Sequence, residues 1–127
     1  HGPDELRALA ATRVVSGAVM GAARRASARL NAKQRVVLET AVANRLTLVQ
    51  GPPGTGKTHV SVAIIGAWVA GRAHGGAPVL ATSDSNIAVD NLLMGLRAAG
   101  VAAIRLGRPE AVHPDLLQYC VDQPQPQ

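Results

Sequence analysis

One eight-residue run constrains this chain more than any other feature: Gly51-Pro52-Pro53-Gly54-Thr55-Gly56-Lys57-Thr58. It matches the phosphate-binding pattern G-x-x-x-x-G-K-[ST] at every fixed position. The flanks are those the chemistry needs. Leu46 to Gln50 is a short apolar run of strand length, and the segment after Lys57 carries Val60, Ile64 and Trp68 at helical spacing. A strand, a glycine-rich turn and a helix start aim backbone N–H groups at a phosphate, where the helix N-terminus adds roughly half a positive charge. On this pattern Lys57 reaches the β- and γ-phosphates and the Thr58 hydroxyl ligates Mg²⁺. Gly-Pro turns also join strands to helices without binding anything, but a complete match in this setting weighs against that alternative.

The surrounding pattern predicts an α/β chain. Residues 4 to about 29 read as helical and alanine-rich, with Gly17 and Gly21 weakening the middle. A second helix is expected from Asn31, a good N-cap, to about Asn44, with Val37, Leu38, Ala41 and Val42 as its apolar stripe. A third runs from Lys57 to about Ala70, and a fourth from Asn86 to about Ala99, stopped by Gly100. Val79 to Ser83 and Val101 to Leu106 read as further strands, and one helical turn is expected around Leu116. Strands alternating with helices through short connections predict a parallel, doubly wound sheet.

Composition narrows the classes. No apolar run approaches the roughly eighteen residues of a membrane span. A single cysteine, Cys120, excludes an internal disulfide framework and a thiolate zinc site. His59 and His74 have no carboxylate or thiol at metal-ligand spacing. Trp68 and Tyr119 are the only aromatics, too few for a base-stacking platform. The formal charge is +5, and it is lopsided: eight basic against three acidic residues through Arg45, five against five beyond it. A polyanion partner is one explanation, and a solvated arginine-rich helix face is the other.

Two more stretches separate the classes that share this phosphate loop. Leu30-Asn31-Ala32-Lys33-Gln34 opens the helix before the P-loop strand, and Ser85-Asn86-Ile87-Ala88-Val89-Asp90-Asn91-Leu92 follows the next strand. With the P-loop, and with Ile104-Arg105-Leu106-Gly107-Arg108-Pro109, they resemble the Upf-like group of superfamily 1 helicases over about Leu30 to Asp122. The resemblance implies a RecA-like P-loop ATPase domain with a parallel sheet flanked by helices, here incomplete. It implies an ATP-dependent helicase or translocase that uses ATP and Mg²⁺, moves on single-stranded RNA or DNA, and works in the cytoplasm or nucleus.

Carried over by position, the resemblance makes Gly51, Pro52, Pro53, Gly54, Thr55, Gly56, Lys57 and Thr58 the triphosphate site. Lys57 and Thr58 are then catalytic, and Thr58 is the Mg²⁺ ligand. Gln34 contacts the adenine edge, since an amide both donates and accepts. Asn31 with Gln34 three residues on is equally a capping box, and both roles can hold together. Ser85 and Asn86 meet the sugar-phosphate backbone, while Ser83 or Ser85 is also a plain N-cap. Asp90, being acidic, reads as structural. Asp84 departs from the family pattern, which has proline there, and its charge beside a nucleic-acid strand weakens binding.

The chain has no apolar strand ending in Asp-Glu to hold Mg²⁺ and position water. Its only Asp-Glu pair, Asp4-Glu5, lies near the start. With a start at His1 and an end in Gln-Pro-Gln-Pro-Gln, the expectation is a piece of a longer protein, inactive alone, rather than a decayed enzyme. Residues 1–29 form a basic helical extension, 30–122 a partial ATP-binding domain and 123–127 a disordered tail. Two alternatives remain. An AAA+ module is disfavoured because Arg105 to Asp115 lacks an acidic strand end; a nucleotide-binding module that never hydrolyses predicts the same loop.

Overall fold

A computed structural model describes Pro3 and residues 17–51, 56–71 and 77–122. The described residues fall into two compact units divided between Val79 and Leu80.

The first unit holds three helices: α1 (Gly17–Ser27), α2 (Ala32–Ala43) and α3 (Lys57–Gly71). They pack on one another pairwise. Helix α1 buries Val19, Ala22 and Ala23, whose spacing puts them on one stripe. Residues 4–16 of the helix expected before it lie outside the described residues. Helix α2 begins where its cap requires. Asn31 Oδ1 accepts the Gln34 N–H at 2.9 Å and Gln34 Oε1 accepts the Asn31 N–H at 3.0 Å, a complete capping box. At its other end Asn44 Nδ2 donates to the Thr40 carbonyl at 2.8 Å, satisfying an acceptor the helix leaves over. Arg35 Nε reaches back to the Ser27 and Leu30 carbonyls, tying α2 to the turn after α1.

The core of this unit is formed by Val19, Ala22, Ala23, Leu30, Leu38, Val42 and Ala67, with Ile64 and Trp68 packed against it. Leu38 and Val42 are fully buried. Small residues let α1 and α3 approach closely: a Cβ on Gly71 would overlap the Val19 backbone and side chain. Val60, Ile64 and Trp68 share a face as expected, though of the three only Val60 is buried and the others are half-buried, and the buried Trp68 Nε1 has no hydrogen-bond partner among the described residues.

The second unit is built on α4 (Asn86–Ala98). Ser85 caps its start, its hydroxyl accepting the Ala88 N–H at 3.3 Å. Its end closes as a Schellman motif, with Gly100 at φ +79°, the Gly100 N–H on the Arg97 carbonyl (3.0 Å) and the Val101 N–H on the Leu96 carbonyl (2.9 Å). Two short 3-10 segments follow, Pro109–Ala111 and Pro114–Tyr119, the second where one helical turn was expected. The His113 ring accepts the Asp115 N–H and so caps that second segment. Leu93, Val112, Leu116 and Cys120 form the core, and an isolated parallel bridge joins Arg105 to Cys120. The Arg97 guanidinium lies over the Tyr119 ring, 4.2 Å from its centroid.

The expected strands differ. Among the described residues no strand ladder forms at Leu46 to Gln50, Val79 to Ser83 or Val101 to Leu106. Their apolar side chains stand in solvent: Leu48 is 90% exposed, Leu80 80% and Ile104 70%. A parallel strand acquires its hydrogen bonds and cover only from neighbours brought in by crossover connections. Among the described residues the first two segments have no such neighbour, and the third has only the single bridge from Arg105 to Cys120.

Candidate functional site

In the first unit the capping box, the end of the phosphate loop and the start of α3 enclose one cleft of about 750 Å³. Asn31, Lys33, Gln34, Val37, Val49, Gln50, Gly51, Gly56, Lys57, Val60, Ser61 and Ile64 line it. The structure thus brings Gln34, Gly51, Gly56 and Lys57 together, as the motifs require. Pro52, Pro53, Gly54 and Thr55 lie outside the described residues. Thr58 is exposed on the first turn of α3 and is not part of the lining.

Local geometry explains why two of these positions need their residue types. Gly56 has φ +75°, a left-handed conformation that costs other residues roughly 1–2 kcal/mol. A Cβ there would also stand 2.7 Å from Gln34 Nε2. The Gln34 amide is therefore used twice. Its oxygen closes the capping box, and its nitrogen stands over the P-loop glycine. Capping occupies the oxygen end of this amide alone, and the NH₂ end is a separate donor.

Charge in the cleft is one-sided. Lys33 and Lys57, the only lysines in the chain, both line it, and no carboxylate does among the described residues. Lys33 was not singled out from the sequence, where it is simply the residue before Gln34. His59 Nε2 lies 3.3 Å from the Arg29 carbonyl, linking the first turn of α3 to the segment after α1. No group of three or more His, Cys, Asp or Glu residues among the described ones could hold a metal, and no described helix is long and apolar enough to cross a membrane.

In the second unit, Ser85 and Asn86 are both exposed at the start of α4. Ser83 Oγ accepts the Ser85 N–H at 3.3 Å and donates to Asp84 Oδ1 at 3.4 Å, so both serines serve the turn and Ser85 is the cap. The larger finding lies beneath Asn86. Arg105 Nη2 donates to Asn86 Oδ1 at 3.1 Å, and Arg105 Nε donates to Asp90 Oδ1 at the same distance. Asp90 Oδ2 accepts the His113 N–H at 3.0 Å. The structural reading of Asp90 is now specific: one carboxylate ties a buried arginine to the loop before Pro114. The signal available in the sequence was a lone arginine inside the apolar run Val101 to Leu106.

A family model described as an AAA domain matches residues 29–127. The chain belongs to this family. Its relatives divide the wider P-loop group further. The DNA polymerase alpha-associated DNA helicase A of Schizosaccharomyces pombe is 38% identical over 94 residues, covering 73% of this chain and 14% of the relative. An uncharacterized ATP-dependent helicase of Methanocaldococcus jannaschii is 41% identical over 93 residues, 71% of this chain and 14% of the relative. A putative regulator of nonsense transcripts 1 from Takifugu rubripes is 42% identical over 77 residues, 61% of this chain and 7% of the relative. The matched region is the N-terminal part of a superfamily 1 helicase domain, as the three motifs indicated, and an AAA+ module is not favoured despite the family's description. The chain spans 6–14% of the length of the curated relatives it matches.

Proposed function

We propose that the chain is the ATP-binding part of an ATP-dependent helicase or translocase that moves on single-stranded RNA or DNA. The cleft carries this reading: Gln34, Gly56 and both lysines converge where a base and a polyphosphate would lie. In it the glycine-rich turn and the first N–H groups of α3 cradle the phosphates, Lys57 neutralises their outer oxygens, and Gln34 Nε2 meets the base edge. The Thr58 hydroxyl would hold Mg²⁺, which when bound supplies charge neutralisation across the β- and γ-phosphates.

The strand-binding part of this reading rests on Ser85 and Asn86, which offer a hydroxyl, an amide and a helix N-terminus to the sugar-phosphate backbone. Such groups carry no base preference, which suits a motor that steps along any sequence. Asp84 places a negative charge beside them. In the whole protein, 46–50, 79–83 and 101–106 are strands of a RecA-like parallel sheet, a reading supported by the exposed apolar side chains on each. Residues 1–29 are then a basic extension, 30–122 the partial ATP-binding domain and 123–127 a tail. The relatives' names, which include replication and nonsense-transcript proteins, favour a nuclear or cytoplasmic setting.

A nucleotide-binding module that does not hydrolyse is the second reading, favoured by a cleft without a carboxylate among its described lining residues. Titration of a fluorescent ATP analogue tests the site itself. Saturable binding that Lys57→Ala weakens at least tenfold is the expected result; equal binding by the variant removes the proposal. Strand-stimulated hydrolysis by a longer form of the protein then separates the two readings.

A further inference from the structure

We propose that Arg105 is a positioning residue for the nucleic-acid strand: held by Asp90, it fixes the Asn86 amide with its NH₂ group turned to the strand. This rests on the reading that Ser85 and Asn86 meet the sugar-phosphate backbone.

The inference follows from what each group can donate and accept. A guanidinium has five N–H donors and no acceptor, so whatever faces it must be an oxygen. Arg105 Nη2 lies 3.1 Å from the Asn86 side chain, which therefore presents Oδ1 inward and leaves Nδ2 with both protons pointing elsewhere. Asn86 is exposed, whereas the Arg105 and Asp90 side chains are 8% and 9% accessible. The amide is thus clamped from below and open above. A free asparagine at this position would flip between presenting an acceptor and presenting a donor. Only the donor suits a phosphate oxygen.

Arg105 is itself held in place. Its Nε donates to Asp90 Oδ1, its Nη1 to the Leu106 carbonyl, its backbone N–H to the Tyr119 carbonyl at 2.8 Å, and its carbonyl accepts the Val121 N–H at 3.0 Å. Asp90 stands on the same helix as Asn86, one turn further on, so carboxylate and amide grip the same guanidinium from one face of α4. The first-turn N–H groups of Asn86 and Ile87 have no intrahelical acceptor, so the fixed amide adds a third donor beside two that the backbone provides. Arg105 does not touch the strand. It acts through Asn86.

The test uses the full 127-residue chain and a fluorescein-labelled oligothymidylate, with binding of a fluorescent ATP analogue as the control. Asn86→Ala lowers strand affinity by about tenfold, the loss of one charge-assisted hydrogen bond. Arg105→Lys keeps a charge beside Asp90 but loses the fork; it lowers strand affinity to a similar degree, with ATP binding unchanged. The double variant loses no more than either single one, because both remove the same contact. Wild type without strand affinity, or Asn86→Ala binding as wild type, overturns the underlying strand reading. Loss in Asn86→Ala but none in Arg105→Lys, or additive losses in the double variant, overturns the positioning role alone. A measurement on the unaltered, ¹⁵N-labelled chain guards against misfolding of Arg105→Lys. On adding oligothymidylate, the Asn86 side-chain NH₂ resonances shift while the Arg105 Nε–H resonance stays in place. Movement of Arg105 without Asn86 overturns the proposal.

Discussion

Asp90 and Arg105 form a buried ion pair, Oδ1 to Nε 3.1 Å, between residues fifteen positions apart. Each charge is more than nine-tenths removed from water, and the remaining carboxylate oxygen is used by the His113 N–H. Such a pair adds little net stability against well-packed apolar residues, because both ions are desolvated. Breaking it is a different matter, since one charge is then left buried alone. Asp90→Ala is expected to destabilise the second unit by about 3–5 kcal/mol. Asp90→Leu/Arg105→Met costs less than that single substitution. Denaturant titration followed by the near-ultraviolet signal of Tyr119, the only tyrosine, measures both; equal losses in the two variants contradict this account.

Gln34 has one end in a capping box and the other over Gly56. Gln34→Glu retains the oxygen that accepts the Asn31 N–H but removes the NH₂ donor. Stability should therefore change by no more than about 0.5 kcal/mol, while the preference for ATP over GTP falls several-fold. Competition of the two nucleotides against a fluorescent analogue reads the second effect, and the urea midpoint reads the first. A preference that survives removes Gln34 from base recognition.

Gly71 tests the contact between α1 and α3. In an unconstrained helix Gly→Ala gains up to about 1 kcal/mol. Here the added methyl would meet the Val19 backbone, and overpacking of this kind costs about 1–3 kcal/mol. Gly71→Ala is predicted to lower the melting temperature. A rise in Tm would show that the helices do not approach so closely.

Hydrolysis should be nearly absent from the 127-residue chain even when it binds ATP. Lys57 provides charge, but no described carboxylate lines the cleft to hold Mg²⁺ or orient water. Phosphate release from saturating ATP, with Lys57→Ala as the blank, checks this. Turnover well above the blank would mean that an acidic group reaches the site by a route not seen here.

What was legible in the sequence is local. Asn31 and Gln34 announced the start of α2, Gly100 the end of α4, and the spacing of Val60, Ile64 and Trp68 the inward face of α3. Each depends on residues within a turn or two of one another, where capping and periodicity act. The glycines and lysine of the phosphate loop are legible for the same reason, as a contiguous motif that can be matched as it stands.

The rest depended on residues far apart in the chain. Arg105 was merely a charge in an apolar run until folding placed Asp90 and Asn86 against it, fifteen and nineteen residues away. Asn86, read from the sequence as a contact to the sugar-phosphate backbone, gained a buried hydrogen-bond partner that its neighbours in the chain do not announce. Lys33 became a lining residue only when α2 was set beside α3. The three apolar runs read as strands, yet a run alone does not bring a partner alongside: pairing is non-local, and among the described residues it goes no further than the one bridge from Arg105 to Cys120. Sequence therefore determined the helix caps and periodicity, the phosphate-loop motif and the family. Tertiary structure decided which charges meet and which way an amide faces, because those depend on contacts that no local pattern encodes.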